Sequence, residues 1–141
     1  MPRENVSKIL VIDDEKSVRE LIYDVLTTEG YLVTTVEDGV AALSKLQEDS
    51  YDLLITDLVM PNMGGEELLD WVWANNLNIT ALIMTGSPIK CEAEYLKDIG
   101  AFALIRKPFG LHQLADVVEK GLSQVSLQRM ETYDNFKVHL D

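Results

Sequence analysis

The chain has 141 residues, 47% of them hydrophobic and 26% charged, a size and balance that fit one globular domain with an adequate core. Twenty-four acidic against twelve basic side chains give a formal charge of -12, which repels phosphate backbones and argues against direct nucleic-acid binding, though an acid surplus also serves as a solubilising surface. No apolar run approaches the roughly 18 residues of a membrane span, no secretory leader is legible, which makes the cytoplasm the default location, and the lone Cys91 rules out an internal disulfide or a multi-cysteine metal site.

Lys8 to Ile12 is a short apolar run ending abruptly in Asp13, Asp14 and Glu15, which predicts a strand buried on both faces, β1. Val18, Leu21, Ile22, Val25 and Leu26 then recur at helical spacing up to a stop at Gly30, giving α1. Tyr31 to Val36 reads as β2, Asp38 and Gly39 as the cap of a weaker α2 through Gln47, and Asp52 to Thr56 as β3, followed by Asp57. The turn from Met60 to Gly65 leads into α3, with Leu68, Leu69 and Val72 inward and Trp71 and Trp73 near its end, and Ile79 to Met84 gives β4. Ser87 before Pro88 predicts an N-cap and first helical position for a short α4 that closes near Gly100. Ala101 to Ile105 reads as β5, and after Lys107 and Pro108 the positions Leu111, Leu114, Ala115, Val118 and Leu122 mark α5.

Five strand-helix units in this order predict an α/β fold, a doubly wound five-stranded parallel sheet of strand order 2-1-3-4-5 with helices on both faces. The domain is expected to span 1–124. Residues 125–141 form a C-terminal extension, either a helical tail with Met130, Tyr133, Phe136 and Leu140 as its apolar stripe or a frayed end.

In open α/β sheets the site lies beyond the carboxyl ends of the strands. Those ends carry Asp13 and Asp14, Asp57, Thr85 and Lys107. Each has a plain alternative: a turn acid, a strand terminator, a turn hydroxyl, a solvated charge. Together, three carboxylates from two chain segments would repel one another unless a cation intervenes. An all-oxygen ligand set favours Mg2+, or Mn2+, over Zn2+. Such a site suits phosphoryl transfer, with Asp57 able to take the group as an acyl phosphate while Lys107 and the Thr85 hydroxyl serve its oxygens.

At this point the chain resembles the receiver domain of two-component response regulators. The resemblance covers residues 8–124 and rests on Val11-Ile12-Asp13-Asp14, the run from Asp57 to Pro61, Met84-Thr85-Gly86, and the stretch from Gly100 to Phe109. It implies a flavodoxin-like three-layer sandwich, with Asp57 as phosphoacceptor and Thr85 and Lys107 holding the phosphoryl group. By the same resemblance Asp14 is a direct Mg2+ ligand, Asp13 a ligand through water, and the Val59 backbone carbonyl a third protein ligand. It also implies a cis bond between Lys107 and Pro108, a partner histidine kinase or phosphotransfer protein as donor, and a switched protein-binding surface rather than enzymatic turnover. His112 and His139 lack the context of a kinase phosphohistidine, so the donor histidine is expected in another protein.

Two departures stand out. Leu104 occupies a position where many receivers carry Tyr or Phe, which puts the threonine-aromatic switch in doubt. Val59 offers no side-chain donor to orient water, and with Ser87 it implies slow to moderate self-dephosphorylation. A homodimer through α4, β5 and α5 is compatible with the sequence but has no support in it. The rival readings fare worse: a flavin binder would meet repulsion at Asp13-Asp14-Glu15, and a dehalogenase-like phosphatase would carry a second acid where Val59 stands. A phosphorylation-independent binding module of the same fold is the stronger alternative, although neither the acid pair, the acceptor nor the lysine is missing.

Overall fold

A computed structural model of the chain describes residues 6–124. The elements run β1 (Lys8–Ile12), α1 (Lys16–Thr28), β2 (Leu32–Val36), α2 (Gly39–Glu48), β3 (Leu53–Asp57), α3 (Gly65–Ala74), β4 (Thr80–Thr85), α4 (Glu92–Ile99) and β5 (Ala103–Arg106). A fifth helix, α5, occupies 111–124, where the described residues end. The strands form one parallel sheet in the order β2-β1-β3-β4-β5, the order expected from the sequence.

Each central strand turns alternate side chains to opposite faces, so two apolar layers form. Leu10, Ile12, Leu54, Ala81 and Ile83 pack against Ala42 and Leu46 of α2 and Leu68, Leu69 and Val72 of α3. Ile9, Val11, Leu53, Ile55, Leu82, Met84 and Ile105 pack against Ile22 and Leu26 of α1 and Leu114 and Val118 of α5. Burying one such aliphatic side chain contributes about 1.5–3 kcal/mol, and this packing, rather than helix propensity, holds short helices on a sheet.

The boundaries differ from expectation at several element ends. α4 begins at Glu92 rather than Pro88. The Ser87 N–H is spent on the Thr85 hydroxyl at 3.1 Å, and the chain stays irregular through Cys91, a left-handed residue with φ 50°. A start at Pro88 would have put Lys90 in the first turn, whereas the observed start puts Glu92 and Glu94 there, where the helix dipole favours negative charge. β5 starts later than Ala101 because the Ala101 N–H folds back onto the Leu96 carbonyl at 2.9 Å, closing α4 behind the left-handed Gly100. β3 and β4 each lie one residue further along than expected, which makes Asp57 and Thr85 their last residues. The tail stripe of Met130, Tyr133, Phe136 and Leu140, like His139, lies outside the described residues.

Candidate functional site

The parallel register decides which groups meet. Ile12 pairs with Thr56, Asp57 with Met84, and Thr85 with Arg106, so the segments that follow β1, β3, β4 and β5 leave the sheet at one level. There the structure brings together Asp13, Asp14 and Asp57, with one carboxylate oxygen from each within 4.8 Å of the others. Asp13 and Asp57 are buried and Asp14 is exposed, so the cluster has a closed floor and an open mouth.

Lys107 reaches this floor from the end of β5. Its Nζ donates to Asp13 Oδ2 and to Asp57 Oδ2, each at 2.7 Å, and approaches Glu15 Oε1 at 3.6 Å. The other oxygens of the buried pair face backbone donors: Asp13 Oδ1 accepts from the Glu15 N–H at 2.9 Å and Asp57 Oδ1 from the Val59 N–H at 3.3 Å. Three carboxylates thus surround one ammonium, leaving an excess of negative charge in a partly desolvated place. Burial pushes the Asp13 carboxyl above its ordinary range, against the opposing pull of Lys107 and the Glu15 N–H. Burial works against the Lys107 charge too, yet its bonds to Asp13 and Asp57 carry it above the usual lysine value.

Thr85 lies next to Met84, the cross-strand partner of Asp57, and is 1% exposed. Its hydroxyl accepts from the Ser87 N–H and is not bonded to the carboxylates. Val59 sits at the mouth with its side chain 72% exposed. The Lys107-Pro108 bond is cis. Leu104 packs into the apolar layer that also takes Leu96 and Ile99 of α4.

Several supporting contacts had no signal in the sequence. Arg19, on the second turn of α1, donates to the Asp13 carbonyl at 2.8 Å, and the buried Thr56 hydroxyl donates to the Asp57 carbonyl at 2.9 Å. Gly65 passes so near β3 that a Cβ there would come within 2.5 Å of the Asp57 carbonyl oxygen, and its N–H bonds the Leu58 carbonyl at 3.0 Å. Asp38 caps α2 through the Ala41 N–H and accepts from the Asn62 side-chain amide, both at 2.8 Å, which fastens the loop after β3 to the start of α2. The glycine and the aspartate were visible as turn and cap residues; their long-range contacts were not.

The cluster is compatible with a hard divalent cation. Its donors are all carboxylate oxygens, without imidazole or thiolate.

The family model described as the response regulator receiver domain matches residues 9–119. Sporulation initiation phosphotransferase F of Bacillus subtilis is 32% identical over 115 residues, which are 82% of this chain and 93% of that protein. Response regulator MprA of Mycobacterium ulcerans is 31% identical over 91% of this chain, which spans only 55% of that protein's length. Among solved structures, chemotaxis response regulator CheY4 of Vibrio cholerae superposes with a TM-score of 0.77 at 29% identity, covering 83% of this chain and 99% of its own. The receiver domain of Francisella response regulator 1452 gives a TM-score of 0.77 at 28% identity, with 84% and 98% covered.

Proposed function

The chain belongs to the response regulator receiver family of two-component systems, and from that premise we propose that it accepts a phosphoryl group on Asp57 from a phosphohistidine of a partner kinase or phosphotransfer protein. The observation that carries this reading is the bifurcated contact of Lys107 with Asp13 and Asp57 beside Asp14. An oxygen of the Asp57 carboxylate forms the new bond to phosphorus as the phosphorus-nitrogen bond of the donor breaks, leaving an acyl phosphate. Lys107, already 2.7 Å from Asp57, follows the charge onto the phosphoryl oxygens. Thr85, at the adjacent strand end, turns its hydroxyl from Ser87 to those oxygens as a donor.

Asp14 and Asp57 directly, Asp13 through water, and the Val59 carbonyl would hold Mg2+ or Mn2+, which supplies positive charge against the phosphoryl oxygens. The output is a shift between two arrangements of a protein-binding surface, not turnover of a substrate. The receiver unit is taken as residues 1–124, with 125–141 as an extension, and among the described residues no helix is long and apolar enough to cross a membrane, which fits a cytoplasmic site of action.

Intact-mass spectrometry after incubation with acetyl phosphate, with and without Mg2+, tests this on the wild type and on Asp57→Asn. One phosphoryl group that needs Mg2+ and disappears in the variant is the expected result. Absence of any added mass on the wild type would replace this reading with a binding module that works without phosphorylation.

A further inference from the structure

α4 has eight residues and none is fully buried; Leu96 and Ile99 pack partly on the apolar layer, and polar ties join the helix to its neighbours. Two of these ties lead back to Asp57. The Tyr95 hydroxyl donates to the Glu66 carboxylate at the start of α3, and Arg106 at the end of β5 donates to Glu92 Oε1 at 2.7 Å. Glu66 directly follows Gly65, whose backbone lies against the Asp57 carbonyl with no room for a Cβ. Arg106 directly precedes Lys107, whose ammonium touches the Asp57 carboxylate. Each strut therefore begins one residue from a group in contact with the acceptor, one on its backbone side and one on its side-chain side.

We propose that Glu66-Tyr95 and Arg106-Glu92 form a pair of struts through which a change of charge at Asp57 resets the position of α4. The inference rests on the phosphoacceptor reading above. Lys107 leaving the carboxylate for a bulkier, more negative group draws the adjoining Arg106 with it, and movement of the Asp57–Leu58 backbone is passed to Glu66 because Gly65 leaves no slack. Burial and the Glu66 carboxylate both keep the Tyr95 phenol protonated, so it remains a donor across the working pH range. Tyr95→Phe keeps the ring and removes the hydroxyl alone, so it cuts the strut without shortening the side chain.

Amide exchange across residues 92–99 tests this, measured in the full chain with Tyr95→Phe, with Glu92→Gln, and with both. Each cut tie should speed basal exchange about fivefold, the equilibrium worth of one ordinary net hydrogen bond. Acetyl phosphate with Mg2+ should change exchange over 92–99 in the wild type and leave it unchanged in the double variant, while intact mass shows equal phosphoryl uptake by both. Asp57→Asn supplies a second arm that needs no phosphate: its loss of charge should alter exchange over 92–99 only where the struts are intact. An equal response to Asp57→Asn with and without the struts would overturn the inference even if phosphorylation occurs. Failure of the wild type to gain mass would overturn the phosphoacceptor reading alone, and the Asp57→Asn arm would still decide the struts.

Discussion

α1 and α4 lie on opposite faces of the sheet and end in the same way. Gly30 and Gly100 both take left-handed conformations, with φ 97° and 77°, and the residue after each folds its N–H back onto the helix. Their attachment differs. α1 runs for thirteen residues and buries Ile22 and Leu26 completely, while α4 runs for eight and buries no residue fully, with Leu96 and Ile99 only partly covered. α1 also grips the site directly, since Arg19 holds the carbonyl of Asp13. The Asp13 side of the cluster is thus fixed by apolar packing, and the side nearest α4 is fixed by individual polar contacts. On the proposed reading the site holds its acids still while passing on a change of charge, and the two kinds of wall suit those two tasks.

Lys107 joins the two walls, so its loss should have the largest effect. Lys107→Ala should slow phosphoryl uptake from acetyl phosphate by about 10²–10³-fold, the usual cost of one preorganised charge-stabilising donor; single-turnover uptake followed by mass checks this, and wild-type rates would deny Lys107 any part in the transfer. Packing comes next. Leu26→Ala in α1 should cost about 2–5 kcal/mol, and Leu96→Ala in α4, half-buried, less than about 2 kcal/mol. Urea unfolding of both variants measures the gap, and equal losses would erase the contrast between the helices.

Smaller again is the cap at Asp38. Asp38→Ala should destabilise by about 1 kcal/mol, read from the same unfolding curves. The Ala41 N–H first, and then the Asn62 amide, hold the Asp38 carboxyl below its ordinary value near 3.8. A depressed folded-state pKa gives stability that is fully present above the unfolded value and is lost as pH falls through the folded one. The difference between wild type and Asp38→Ala should therefore narrow as pH drops below about 4, and a constant difference would mean that charge plays no part in the cap. The smallest effect is expected from Tyr95→Phe, which should cost no more than about 1 kcal/mol globally while loosening α4 locally.

Much of this arrangement was legible in the chain itself. The apolar runs that end in Asp13, Asp57 and Thr85 marked both the strands and the level at which their acids and hydroxyl would emerge, because a fully buried parallel strand must stop where charge begins. Lys107 was legible as a charge just beyond β5, whose expected end was Ile105. What escaped was set by individual contacts that no residue pattern encodes. Ser87 and Pro88 carry a sound local start signal, yet the chain stays irregular through the left-handed Cys91 and the helix starts at Glu92. Gly65 looked like an ordinary turn glycine, and only the packed structure shows that it is needed so that α3 can touch the end of β3. Arg19 sits on α1 with no pattern pointing to the Asp13 carbonyl six residues before it.

The two tryptophans looked like helix-end residues without a role. Trp73, however, donates its indole N–H to the Ile99 carbonyl at 2.8 Å, and Gly100 lies directly over the ring, where a Cβ would come within 2.6 Å of Nε1. One end of α4 is therefore wired to a natural fluorophore, with Trp71 as the sole other indole in the sequence. In a Trp71→Phe background the emission of the unlabelled protein becomes an optical gauge of α4, able to follow its displacement in real time during a stopped-flow reaction.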